Sequence, residues 1–112
     1  LNIREFQKRV DDWIKEYGVR YFDEKTNMLV LMEEVGELSR LMARVYGEQS
    51  FKKPEDSANS KRRIAEELAD ILFVIGCLSN QMNIDLESEL EGNFQKKTNR
   101  DRHRHKNNPD LM

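Results

Sequence analysis

MLVLMEEVGELSRLMARV, residues 28–45, decides how this 112-residue chain folds. A helix advances about 100° per residue, so the stretch can be laid on a wheel. Met28, Leu31, Met32, Val35, Leu38, Leu41, Met42 and Val45 then fill one broad arc. Glu34 falls inside that arc, flanked by Leu41 and Val45, and Glu37 falls at its edge. A second stretch, IAEELADILFVIGCL at residues 64–78, repeats the arrangement. Ile64, Leu68, Ile71, Leu72, Val74, Ile75 and Leu78 cover most of its wheel. Glu67 lies between Val74 and Leu78, and Asp70 between Val74 and Cys77. Four carboxylates thus stand where burial is expected, and burying an unpaired ionised carboxylate costs several kcal/mol. A neutralising partner is required.

Around these two segments the chain reads as one domain, residues 1–112, with a basic tail from about residue 101. Charged residues make up 36% and aromatics 8%, and the apolar residues come in periodic blocks, as in a helix-rich globule. The net charge of −2 gives no global basic field, so nucleic acid is not an expected partner. Lone Cys77 forms no intrachain disulfide and suits a reducing compartment. No run approaches the roughly 20 apolar residues that span a bilayer, and no leader peptide is visible. Cytoplasm is the expected location.

Ile3, Phe6, Val10, Ile14 and Tyr17, with Trp13 beside them, predict a first helix over residues 2–17, stopped by Gly18. The connector 19–25 carries Tyr21 and Phe22, and Thr26 or Asn27 is positioned to cap the second helix, which ends near Tyr46. Residues 47–59 read as a loop whose Lys52 and Lys53 could approach an anion. Ser60 is the expected cap of a third helix over 61–82, which is apolar on nearly all sides. A helix apolar all round is buried all round. A chain this short has too few neighbours to cover it, so a two-fold subunit interface is expected. Asp85 caps a fourth helix whose inner face is marked by Leu86, Leu90 and Phe94. No strand-like alternation is long enough to build a sheet, so the class is all-α.

Residues three apart are neighbours on one helix face. Glu34 with Glu37, and Glu67 with Asp70, are therefore paired ligands on two helices that the loop can fold antiparallel. One such pair is ordinarily a solvated face. Two pairs set among apolar residues on either side of one loop point instead to a metal centre. Hard divalent cations take oxygen ligands, and Mg²⁺ suits one or two carboxylates plus substrate phosphates. Such an ion polarises a phosphoryl group and activates water, which is the chemistry of phosphoanhydride hydrolysis. Di-iron bundles use Glu-x-x-His, and neither helix contains a His. Glu33 shares a polar face with Arg40 and Arg44, where it serves either as a surface ion pair or as a helper to the ligands.

With those residues in place, the pattern resembles the MazG family of nucleoside triphosphate pyrophosphohydrolases. Its motif is EExxE followed, after a loop, by ExxD. Here that is Glu33-Glu34-Val35-Gly36-Glu37 and Glu67-Leu68-Ala69-Asp70, and the likeness extends through EEVGELSRL, AEELADILFVI and NIDL. The resemblance implies a four-helix MazG-like bundle with two long central helices, assembled as a dimer or dimer of dimers. It implies Mg²⁺ (with Mn²⁺ as a substitute) held by Glu34, Glu37, Glu67 and Asp70, with Glu33 helping in catalysis. It also implies cleavage of (deoxy)nucleoside triphosphates between the α and β phosphates, as in the removal of non-standard or surplus nucleotides. Members hold phosphates with a Lys, an Asn and an Arg on the last helix. Asn93, Lys96, Lys97 and Arg100 stand at about those positions, with Asn and Lys exchanged in order. The base pocket of such enzymes lies between the first two helices, which makes Phe6, Trp13, Tyr21 and Phe22 candidates for stacking and Asn27 for a hydrogen bond. Within the class, a dUTP- or dCTP-selective enzyme and a phosphoribosyl-ATP pyrophosphohydrolase stay open. The alternative from another class is a non-catalytic helical interaction module whose acidic face binds a basic partner.

Overall fold

A computed structural model describes residues 1–47 and 59–111 of the chain. The described residues contain four α-helices: α1 (Ile3–Trp13), α2 (Glu24–Tyr46), α3 (Ser60–Gln81) and α4 (Leu86–Asp101), followed by a 3₁₀ turn at Pro109–Leu111. The described residues form no strand, in keeping with the all-α expectation. None of their helices is long and apolar enough to cross a membrane. The expected lysine-bearing loop, with Lys52 and Lys53, lies outside the described residues.

Three helix starts have a side-chain cap. The Asn2 carboxamide oxygen accepts from Glu5 N at 2.8 Å, and Asp85 accepts from Glu87 N at 3.2 Å. On α2 the cap is Asp23, accepting from Thr26 N at 2.8 Å, rather than Thr26 or Asn27. A carboxylate is as good a cap as any residue offers, so the helix gains a turn. Asn59 occupies the cap position of α3, one residue before the expected Ser60. The end of α1 also differs from expectation. After Trp13 the helix widens into a π-helical turn, Ile14–Gly18, and the chain reverses at Val19 (φ 71°, ψ −58°) rather than at Gly18. Arg20 N donates to Gly18 O at 2.8 Å across this residue, a γ-turn of the rare positive-φ kind.

The long helices α2 and α3 pack against each other, and α1 lies across α3. Gly76 permits the second approach, because a Cβ there would meet the Phe6 ring at 3.1 Å and a Val10 methyl at 3.2 Å. Val10, Leu41, Val74 and Cys77 are the buried apolar residues. The α3–α4 turn is held by buried Gln7, whose amide donates to Ile84 O (2.8 Å) and accepts from Leu86 N (2.9 Å). Asn83, at φ 56°, closes α3. Ile84 N reaches back to Ser79 O at 2.8 Å and Asn83 N to Asn80 O, the double bond that ends a helix in a left-handed residue.

Expected inner faces on three helices are open. Met28 and Met32 on α2, and Leu68 and Leu72 on α3, are each about half exposed. So are Leu90 and Phe94 on α4, the latter 65% exposed. The cause is the shortage of neighbours: α1 and α2 cover only part of α3, and α4 packs chiefly on α1.

Candidate metal centre and nucleotide cavity

Helical spacing places Glu34 and Glu67 on the facing sides of α2 and α3. Glu34, Glu67 and Asp70 each offer a carboxylate oxygen within 4.8 Å of the others. Glu34 and Glu67 are half-buried and Asp70 is exposed. Glu37, one turn beyond Glu34, is exposed but close enough to hydrogen-bond Glu67. Shared hydrogen bonding with Glu34, then burial, then the bond with Glu37 push the Glu67 carboxyl up to about 8. Burial and the charges of Glu34, Glu66 and Glu37 raise Asp70 as well. Glu33 is exposed on α2. Glu66 is outside the group and pairs with Arg62 at 3.2 Å.

Glu67 Oε2 is buried with no hydrogen-bond donor. Such an acceptor is costly unless something positive meets it. The donor set is all oxygen, which suits a hard divalent cation and not a soft one. The residues therefore fit a metal of that class: Glu34, Glu67 and Asp70 as first candidates, with Glu37 beside them.

A cavity of about 360 Å³ opens one turn away. Its walls include Trp13, Tyr21, Phe22, Asn27, Val30 and Phe73. Val30 precedes Glu34 by four residues and Val74, also lining it, follows Asp70 by four, so cavity and carboxylates are about one helical turn apart, about 6 Å along the axis. Trp13 meets the edge of Phe73 at 5.5 Å and leans on Tyr17 at 5.6 Å. Asn27 is buried, and its amide donates to Gln81 Oε1 at 2.7 Å and to Phe22 O. Gln81 donates to the same carbonyl, which fixes both amides. The Tyr21 hydroxyl donates to Asp11 at 2.6 Å and accepts from Asn80 at 3.1 Å. Burial and the Asp11 bond hold its pKa up at about 12, so the phenol stays neutral.

Of the stacking candidates, Trp13, Tyr21 and Phe22 line this cavity, whereas Phe6 packs over Gly76 and lines a separate one of about 250 Å³. Phe73, Val74 and Cys77 from α3 are cavity residues that periodicity gave no reason to separate from core. Asn93, Lys96, Lys97 and Arg100 all lie exposed on α4, with Arg100 paired to Asp101 at 2.8 Å. The structure does not bring them together with the carboxylates through packing of α4 on α2 or α3, since the main contact of α4 is α1.

An all-α subunit with acids converging from two antiparallel helices beside an aromatic-walled cavity can hold a hard divalent cation next to an organic substrate. The chain belongs to the MazG family: residues 22–105 match the MazG nucleotide pyrophosphohydrolase domain. It is 34% identical over 102 residues to YpjD of Bacillus subtilis, covering 91% of this chain and 88% of that one. The crystal structure of a Bacillus-conserved MazG protein, described as a nucleotide pyrophosphohydrolase, superposes with a TM-score of 0.70 at 36% identity, covering 86% of this chain and 88% of that one. The solved structure of B. subtilis YpjD gives 0.72 at 32% identity, covering 86% and 92%. Family membership sets aside the non-catalytic interaction module.

Proposed function

We propose that this enzyme cleaves (deoxy)nucleoside triphosphates between the α and β phosphates with Mg²⁺, or Mn²⁺ as a substitute, in the removal of non-standard or surplus nucleotides. The observation that carries this is the donorless buried oxygen of Glu67 among Glu34, Glu37 and Asp70. A bound divalent ion would supply the positive charge and Lewis acidity that phosphoryl transfer needs. Glu34, Glu37, Glu67 and Asp70 hold it; Glu33, one position before Glu34, orients water or ligands.

The base enters the 360 Å³ cavity, where Trp13 offers an aromatic surface and Asn27 is fixed by Gln81 and the Phe22 carbonyl. The one-turn offset from Val30 to Glu34 then carries the phosphates to the carboxylates. Asn93, Lys96, Lys97 and Arg100 offset the remaining phosphate charge. The chain works as one domain in the cytoplasm, as a dimer or dimer of dimers; the exposed Met28, Met32, Leu68 and Leu72 are the apolar surface that such assembly would cover.

The test is product analysis over a nucleotide panel that includes dUTP, dCTP and phosphoribosyl-ATP. Monophosphate plus pyrophosphate is expected with Mg²⁺, falling about 100-fold or more in Glu67→Gln. Failure to cleave any triphosphate while the ion still binds overturns the proposal.

A further inference from the structure

Asn27 and Gln81 form a small hydrogen-bonded unit at the buried end of the 360 Å³ cavity. Asn27 is only 6% exposed and, with Val74 and Cys77, supplies the buried part of the wall. Its amide nitrogen donates to Gln81 Oε1 at 2.7 Å and to Phe22 O at 3.4 Å, while Gln81 Nε2 donates to that same carbonyl. A carbonyl can only accept, so it turns both amide nitrogens toward itself. Reversing Asn27 would set its oxygen against two acceptors, Phe22 O and Gln81 Oε1. Both Asn27 N–H groups are thereby spent. No donor among the described residues reaches the Asn27 oxygen, the one polar atom this side chain has left to offer.

The other polar groups of the wall do not alter that polarity. The Tyr21 hydroxyl is engaged on both sides, donating to Asp11 and accepting from Asn80. Burial pushes the Cys77 thiol up to about 11, so it stays a neutral, weak S–H donor. Arg20 and Trp13 carry strong donors, but both are exposed, and Arg20 already donates to Tyr21 O at 2.9 Å. Among the described residues, the buried end of the cavity is therefore apolar with one fixed acceptor.

We infer that Gln81 is a positioning residue for base selection: with the Phe22 carbonyl it holds Asn27 oxygen-first, so that the site takes bases carrying an exocyclic amino group over their oxo counterparts. The inference rests on the reading above that a nucleotide base enters this cavity. A 4-amino pyrimidine or a 6-amino purine gives one N–H to Asn27 Oδ1. Uracil or hypoxanthine in the same pose brings a carbonyl oxygen there instead, acceptor facing acceptor, and leaves it without a donor. Turning uracil to offer N3–H puts a carbonyl on each side of the contact, against a floor with no strong donor. Each amino and oxo pair shares one ring shape, so stacking separates its members little and the amide decides.

Quenching of Trp13, the sole tryptophan and a cavity residue, reports binding without requiring cleavage. Wild-type protein is titrated with dCMP against dUMP and with AMP against IMP. For the ring size the cavity accepts, the amino nucleotide should bind at least about tenfold tighter than its oxo partner, and comparing the two pairs fixes that size. Gln81→Met keeps the length of the side chain and removes both of its polar atoms, which frees Asn27 to turn. The preference should then fall to within about threefold, with helix content unchanged by circular dichroism. Asn27→Ala should abolish it. Equal or reversed affinities in the wild type overturn the proposal, as does the absence of quenching by all four nucleotides. An unchanged preference in Gln81→Met refutes the role of Gln81. Discrimination in binding with no triphosphate cleaved fails the reaction proposed above and upholds the base selection.

Discussion

Glu67 shows how one residue couples stability to chemistry. Its folded pKa is raised to about 8 from 4.5, so in the metal-free protein the folded state binds the extra proton between those values. Stability therefore falls as pH rises through that window, the reverse of a salt-bridged carboxylate. Melting of the metal-free protein should drop between pH 5 and pH 8. Mg²⁺ should restore it at pH 8, because a bound cation favours the ionised form. Glu67→Gln should flatten the slope and abolish the Mg²⁺ response; an unchanged slope would mean that Glu67 does not sense its neighbours. Gln7 makes the opposite kind of case, a buried amide with every bond used. Gln7→Ala strands Leu86 N and Ile84 O and is expected to cost about 1–3 kcal/mol in a denaturant melt. From the sequence, its only trace is a polar residue in the arc with Ile3, Val10 and Ile14.

Among the elements, the α1 end and the α1–α3 crossing carry the tightest geometry. Val19 is β-branched at φ 71°, where such a side chain is strained by about 1–3 kcal/mol. Val19→Gly relieves that strain at an entropic cost of about 0.5–1 kcal/mol, so a net gain is expected. Thermal melting should rise by several degrees; a fall would show that the Val19 side chain contributes packing that outweighs its backbone. At the crossing, Gly76→Val drives two methyl groups toward the Phe6 ring and should cost roughly 1–3 kcal/mol. The π-helical turn at Ile14–Gly18 sits at the cavity wall, with Ile14 and Gly18 both lining it. A shift of that turn would therefore reshape the cavity before it reached the carboxylates on α2 and α3.

At the scale of the molecule, the single subunit leaves apolar side chains open on α2, α3 and α4 together. If a second copy covers them, unfolding is coupled to dissociation and the melting temperature depends on concentration. Tenfold dilution should lower it measurably in the wild type and not in Phe94→Asp. A concentration-independent melt in the wild type would leave those faces without their expected role.

By itself the sequence determined the four helices, their approximate ends and the two acidic motifs, because 3.6-residue periodicity is a local property and Glu34, Glu37, Glu67 and Asp70 break it conspicuously. The pairing of the motifs was legible for the same reason, since each lies on an apolar arc of a long helix. Only the tertiary structure decided that Asp23 rather than Thr26 or Asn27 caps α2, and that Val19 rather than Gly18 makes the turn. It alone put Phe6 under Gly76 and away from the 360 Å³ cavity, and gave that cavity its α3 wall. It also sent α4 out along its own path, leaving Leu90 and Phe94 uncovered. The cavity wall, the seat of Phe6 and the path of α4 depend on contacts between residues far apart in the chain, and the cap and the turn on a choice among adjacent residues; residue spacing along one helix ranks neither.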